Sequence, residues 1–328
     1  MKHAQFFSIS VVVAAGFYGL VGFYFLPLAS FEGDLTRMAK LPESLFGWTK
    51  EQPAITPAMM KSAEWQEADV LAIGDSFTYA QVWQTIFAQR GMLVRTESWE
   101  NIFNICEDIS AWTRSRGFKG KYVIIESTER GIGDRLARSA QCKKMEYHPL
   151  ATVQAMPPST LPDRHVDDFS GRLSVGMRTG LNAAEYEQLS SQPNFRKWDL
   201  PGDVRVERIA NGCDLFSHPR CRDVLFYEKD LVPDMGEVVL ANMEIINKRL
   251  PEYSVIWVII PDKSTVYLNP DKKFWDKAER RVIAPNLLKI FRKAVHEKTI
   301  DLYYANNTHV STTGYLLLGE TIFQEITQ

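Results

Sequence analysis

Between Ala4 and Phe31 the chain contains no aspartate, glutamate, lysine or arginine. A helix needs roughly 20 apolar residues to cross a bilayer core, and residues 6–28 meet that length. Lys2 precedes the stretch and the first acids, Glu32 and Asp34, follow it, which favours an N-terminus inside and a remainder outside. A cleaved signal peptide is the alternative: its apolar region is usually about 7–15 residues long, and Ala29 and Ser30 offer small residues for cleavage. Both readings export the remainder. The length favours a single-pass inner-membrane anchor with its domain in the periplasm.

An excess of basic charge is missing too. With 38 Lys+Arg against 40 Asp+Glu the formal net charge is -2, so nothing tracks a phosphate backbone and nucleic acid is not an expected partner. The mean hydropathy of -0.20 excludes a polytopic membrane protein. Cysteine is scarce, at four residues. Cys213 and Cys221 flank a turn-rich segment where a short disulfide-closed loop suits an exported protein, while Cys106 and Cys142 are left unassigned. Zinc held by Cys213, His218 and Cys221 is the alternative, but no second cluster accompanies them. The chemistry calls for neither metal nor cofactor.

Residues 32–68 are punctuated by Pro42, Pro53 and Pro57, carry no sustained helical period, and read as a stalk between the anchor at 1–31 and a domain at 69–328. In that domain, apolar runs at 70–73, 93–96, 122–126, 255–260 and 300–304 read as buried strands. They alternate with helical patterns at 79–89, 106–116, 237–249, 275–298 (broken at Pro285) and 313–326. Continuous apolar strands alternating with helices predict an α/β fold: a doubly wound, flavodoxin-like three-layer sandwich on a mostly parallel five-stranded sheet. Residues from about 131 to 235 interrupt the rhythm and read as an insertion, with some β structure among its prolines and polar turns.

The first strand ends in Gly74-Asp75-Ser76-Phe77, directly before a helical pattern. A serine in a tight strand-to-helix turn suits a nucleophile, because backbone N–H groups surround it; a turn with a helix cap is the plainer reading. A serine needs a base. His3 belongs to the anchor, His148, His165 and His218 to the insertion, and His296 to a polar helix face. His309 follows the last strand and precedes the last helix, and a parallel sheet brings the loops after all its strands to one edge, where ligands bind.

Gly74-Asp75-Ser76-Phe77 together with His309-Val310-Ser311 and Gly314 resembles the SGNH, or GDSL-like, hydrolase superfamily. The resemblance is closest to its exopolysaccharide O-acetylation branch, through the Glu126…Glu129-Arg130 strand end and Pro261-Asp262-Lys263…Tyr267. These motifs span about residues 69–328 and leave the insertion uncovered. The resemblance implies that Ser76 takes an acetyl group and passes it to a sugar hydroxyl with His309 as general base, then acid. A polysaccharide substrate and a membrane protein that donates acetyl are the implied partners.

The sequence departs from that family where an aspartate is expected before the histidine: Asn306 and Asn307 stand there. Asparagine for aspartate in a serine protease triad costs about 10⁴ in turnover, mostly through the wrong imidazole tautomer. Three outcomes follow: an asparagine oxygen orients His309, Glu129 or Asp262 replaces it from another strand end, or the site is a binding relic. No Gly-x-Asn follows Glu126 to complete an oxyanion hole. Asp75, Ser98, Asn101 and Asn104 are the polar residues nearest that duty. Arg130 and Lys263 are read either as contacts for an acyl oxygen or acidic sugar or as members of ion pairs, Arg130 with Glu126 or Glu129. Trp83 and Trp112 are core by position, while Tyr79 and Trp99 stand near strand ends where a sugar ring would stack. A carbohydrate esterase at the same site and a non-catalytic polysaccharide-binding scaffold are the competing functions.

Overall fold

The computed structural model describes residues 2–149, 161 and 172–327, so His165 and the prolines at 157, 158 and 162 lie outside the described residues. The described strands are β1 (Val70–Gly74), β2 (Val94–Ser98), β3 (Tyr122–Thr128), β4 (Lys197–Leu200), β5 (Val204–Arg208), β6 (Asp223–Tyr227) and β7 (Ser254–Ile260). The chain divides into two compact units. The larger holds residues 51–160, 229–303 and 309–328; the smaller holds 1–50, 161–228 and 304–308.

The larger unit is built on a four-stranded parallel sheet in the order β2-β1-β3-β7. Every residue of β1 is buried, as expected for a central strand covered on both faces. Aliphatic and aromatic side chains from the strands and flanking helices form one core, including Trp83, Ile124, Trp257 and Phe291. The helices used below are α2 (Ser76–Tyr79) and α3 (Glu129–Gln141).

The sheet has four strands where the sequence pattern suggests five. Residues 300–304 contribute an isolated antiparallel bridge between Tyr303 and Val310. Lys298 and Asp301 adopt φ of 58° and 54°, and these left-handed positions prevent the extended run that a fifth strand needs. The pattern at 79–89 is likewise divided: Gln81 has φ 58°, so α2 ends at Tyr79 and a second short helix spans Thr85–Gln89. The expected break at Pro285 is present, between helices Phe274–Arg281 and Leu287–His296.

In the smaller unit, the first helix runs from Lys2 to Phe25. At about 1.5 Å per residue its 24 residues span about 36 Å, enough for a hydrocarbon core of about 30 Å. Most of its apolar side chains are exposed, Phe6, Leu20 and Phe23 among them. Its end packs closely on helix Leu173–Ser190: a side chain at Gly176 would come within 1.8 Å of the Phe25 carbonyl oxygen.

The insertion carries the three-stranded antiparallel sheet β4-β5-β6. Residues read as a stalk are folded against it. Asp34–Ala39 and Glu43–Phe46 are helical, and Leu35 and Phe46 join Tyr186, Val206 and Leu225 in a second core. The prolines that suggested a linker act as punctuation between short helices, with Pro42 as the residue before one of them.

Both cysteine pairs are disulfides. Cys213–Cys221 closes the short loop of the smaller unit, and Cys106–Cys142 ties the chain just before helix Ile109–Ser115 to the residue that caps the end of α3 in the larger one. With Cys213 and Cys221 oxidised, no thiolates are left for zinc, and no group of metal-ligating side chains occurs among the described residues. Two disulfides behind an apolar helix place the folded part in an oxidising compartment.

Candidate functional site

The turn after β1 is shaped by what lies beneath Gly74. A Cβ at that position would sit 2.3 Å from the Thr78 hydroxyl and 2.4 Å from Glu126 Oε2, so only glycine admits the approach. Glu126 Oε2 accepts the Asp75 backbone N–H at 2.9 Å and the Thr78 hydroxyl at 2.8 Å, which pins both ends of the turn. Asp75 caps α2, its Oδ1 accepting the Phe77 N–H at 3.2 Å. Its Oδ2 accepts from the Thr128 N–H at 3.0 Å and from Arg135 Nη1 at 2.8 Å.

This scaffold leaves Ser76 exposed at the first position of α2. Its Oγ lies 2.7 Å from His309 Nε2, across 233 residues of sequence. The imidazole stacks on the Phe77 ring, with centroids 4.7 Å apart and planes 30° apart, and is thereby held over the serine. A hydroxyl in hydrogen-bond contact with an imidazole can lose its proton to it while attacking an acyl carbon. The Ser76 N–H makes no hydrogen bond among the described residues and is available to a developing oxyanion.

The two carboxyl groups behind the turn are driven apart. Burial first, and the Asp75 charge second, push Glu126 well above the usual carboxylate range. Burial also opposes ionisation of Asp75, but the Arg135 guanidinium and the donors around it outweigh that effect and hold Asp75 below its ordinary value. The environment thus favours the protonated form of Glu126 and the charged form of Asp75, with Arg135 as counter-ion. Arg135 lies two turns into α3, and nothing in its local sequence marks it as the partner of Asp75.

The carboxylates considered as replacements for a missing triad aspartate hold other partners. Glu129 Oε1 is paired with Lys272, and Oε2 accepts the Asp262 N–H at 3.0 Å. Asp262 Oδ2 accepts the Arg130 N–H at 3.0 Å, and Oδ1 pairs with Arg130 Nη1. Arg130 also reaches Asp230 at 2.9 Å, so its ion-pair partners are Asp230 and Asp262 in place of the expected Glu126 or Glu129. Burial and the Asp230 charge raise Asp262 well above the carboxylate range despite Arg130. Lys263 is buried at the start of helix Lys263–Tyr267.

Asn306 and Asn307 belong to the smaller unit. There Asn306 Nδ2 donates to Glu43 Oε2 at 2.6 Å, and its carbonyl accepts the Leu35 N–H at 3.1 Å. The Asn307 N–H donates to the Tyr304 carbonyl at 3.4 Å. Thr308, the residue before His309, gives its N–H to Asp34 Oδ1 at 2.9 Å and its hydroxyl to Oδ2. Asp34 falls in the stretch read as a stalk, so its engagement was invisible to a reading that left that stretch unfolded.

Of the oxyanion alternatives, Ser98 caps the next short helix by accepting the Glu100 N–H at 3.1 Å, and Asn101 donates to Glu97 at 3.1 Å. Trp99 is buried, with its indole N–H on the Glu126 carbonyl at 2.8 Å, which makes it a wall of the site and removes its face as a stacking platform. Compared with protein-family models, curated proteins and solved structures, the chain matches none of them.

Proposed function

We propose that the protein is a membrane-anchored acyltransferase that moves an acetyl group through Ser76 to a hydroxyl of a secreted polysaccharide. The observation that carries this reading is the 2.7 Å contact between the exposed Ser76 Oγ and His309 Nε2. Supporting it is a strand order of second-first-third-fourth, the order of flavodoxin-like sheets, whose carboxyl edge is the usual ligand edge. The Gly74-Asp75-Ser76 and His309 motifs sit at that edge as in SGNH-like hydrolases. On this reading the anchor crosses the inner membrane and the folded part is periplasmic, where a membrane partner supplies the acetyl group.

In the first step Ser76 Oγ bonds to the acyl carbon of an ester or thioester donor, and His309 takes the serine proton and returns it to the leaving group. In the second, a sugar hydroxyl attacks the acyl-serine, gives its proton to His309, and the released Ser76 oxygen recovers it. Water in place of the sugar gives an esterase.

The test is intact mass of the full chain in detergent after exposure to p-nitrophenyl acetate. An adduct of about 42 Da, one acetyl replacing one hydrogen, is expected on the wild type and absent from Ser76→Ala. No adduct on the wild type overturns acyl transfer and leaves a binding or scaffold role. Rapid loss of the adduct without any sugar present identifies the esterase.

A further inference from the structure

A cleft of about 520 Å³ opens beside the carboxyl end of β2 in the larger unit, within the range of small-molecule sites, about 300–1,000 Å³. Residues that follow β2 line it together with Arg135 and Arg138 of α3. It adjoins the nucleophile turn through Arg135, whose guanidinium is bonded to Asp75.

Three features mark the cleft as a built site. Phe103 is 49% exposed, an unusual state for a large apolar ring, and its backbone is held at φ 53°, ψ -49°. A non-glycine residue in that region costs of order 1–3 kcal/mol and persists where its surroundings enforce it. Here the Phe103 N–H bonds the Trp99 carbonyl at 2.7 Å, and the ring meets His148 edge-on at 5.4 Å. Second, Asn104 lines the cleft, and its buried Oδ1 accepts no hydrogen bond among the described residues. Third, Arg138 is exposed and makes no ion pair or hydrogen bond among the described residues.

Charge narrows the ligand. Glu100 and Glu146 line the cleft with the two arginines, and Arg135 is already matched by Asp75. No surplus positive charge remains for an acidic ligand. An aromatic platform beside one amide oxygen and one guanidinium fits a molecule with an apolar face and a rim of hydroxyls that both donate and accept. We propose that the cleft is the acceptor subsite for an uncharged pyranose ring, stacked on Phe103 and hydrogen-bonded through its hydroxyls to Asn104 and Arg138. The word acceptor rests on the acyl-transfer reading of Ser76; binding itself does not.

The experiment is titration calorimetry of the full chain in detergent with cellohexaose, maltohexaose, β-1,4-mannohexaose and hexagalacturonate. At least one neutral hexasaccharide is expected to bind, and Phe103→Ala and Arg138→Gln each weaken it tenfold or more. Arg138 is on the surface, so its variant reads binding even if Phe103→Ala fails to fold. Binding of no neutral sugar, binding of hexagalacturonate alone, or unchanged affinity in Arg138→Gln overturns the proposal. Acetyl-adduct formation is measured on the same preparation. Sugar binding without acylation of Ser76 overturns the acceptor role, whereas acylation without sugar binding overturns the subsite and leaves the serine chemistry intact.

Discussion

Two strand ends at one edge of the same parallel sheet meet opposite fates. After β1 the chain turns into Ser76, exposed, with its hydroxyl on an imidazole. After β3 it turns into Glu129 and Arg130, whose charges are buried or half-buried and matched by Lys272, Asp230 and Asp262. The first turn keeps a hydroxyl at the surface in contact with an imidazole and holds two carboxyls behind it. The second spends its polar groups on one another. Polar residues at a sheet's ligand edge are thus no sign of chemistry by themselves; a group whose partner can also take its proton is.

The sharpest test of that contrast is to remove one residue from each turn. Ser76→Ala should abolish the acetyl adduct, a fall of at least about 10³-fold in acyl transfer, while shifting stability by no more than about 0.5 kcal/mol because an exposed hydroxyl is replaced. Arg130→Met should do the reverse. It removes the guanidinium that buried Asp230 and Asp262 share, at a cost of about 3–5 kcal/mol read as a lowered denaturant midpoint. If Arg130→Met leaves the midpoint in place and removes only activity, the second turn belongs to the site and the contrast fails.

A double mutant probes the second strand end more finely. Lys272→Met leaves Glu129 buried beside an apolar chain, and the added change Glu129→Gln removes the stranded charge while keeping an acceptor for the Asp262 N–H. The double mutant should recover about 2 kcal/mol of the single mutant's loss, measured by chemical denaturation. No recovery would mean that Lys272 acts through its bonds to the Val232 carbonyl and the Thr265 hydroxyl, at 2.8 and 3.0 Å, instead of through Glu129.

Much of this contrast was legible in the sequence, and the limits have physical causes. The Ser76 turn and His309 were readable as neighbours because a parallel sheet brings every strand's end to one edge, whatever the separation along the chain. The partners of Arg130 were not, because Asp230 and Asp262 stand 100 and 132 residues away and two nearer glutamates offered the same chemistry. The five-strand expectation failed at Lys298 and Asp301, whose left-handed φ no apolar count records. Residues 32–46 read as linker because their apolar side chains, Leu35 and Phe46, are few and find their core only in a sheet more than 150 residues on. Phe103 gave no signal at all; its strained backbone is a property of the fold.

The smallest effect probes how the reactive turn tolerates a buried carboxyl. An unfolded glutamate ionises near its reference value of about 4.3, whereas folded Glu126 stays protonated to well above that. Between the two values the unfolded chain binds fewer protons than the folded one, so Glu126 takes stability away as pH rises, until its own folded value is passed. Asp75 works in the other direction: its lowered value adds stability above the ordinary aspartate range, lost as pH falls through the folded value. Glu126→Gln removes the first dependence, shifts the second only through the loss of its contact with Asp75, and can still accept the Asp75 N–H and the Thr78 hydroxyl through its amide oxygen. Relative to wild type, the variant should therefore gain stability as pH rises above the ordinary glutamate range, read from denaturant midpoints at each pH. Parallel wild-type and variant curves would mean that Glu126 ionises in the folded protein. The turn that presents Ser76 would then rest on a buried charge, as the Arg130 turn does, and the distinction between the two would lose its basis.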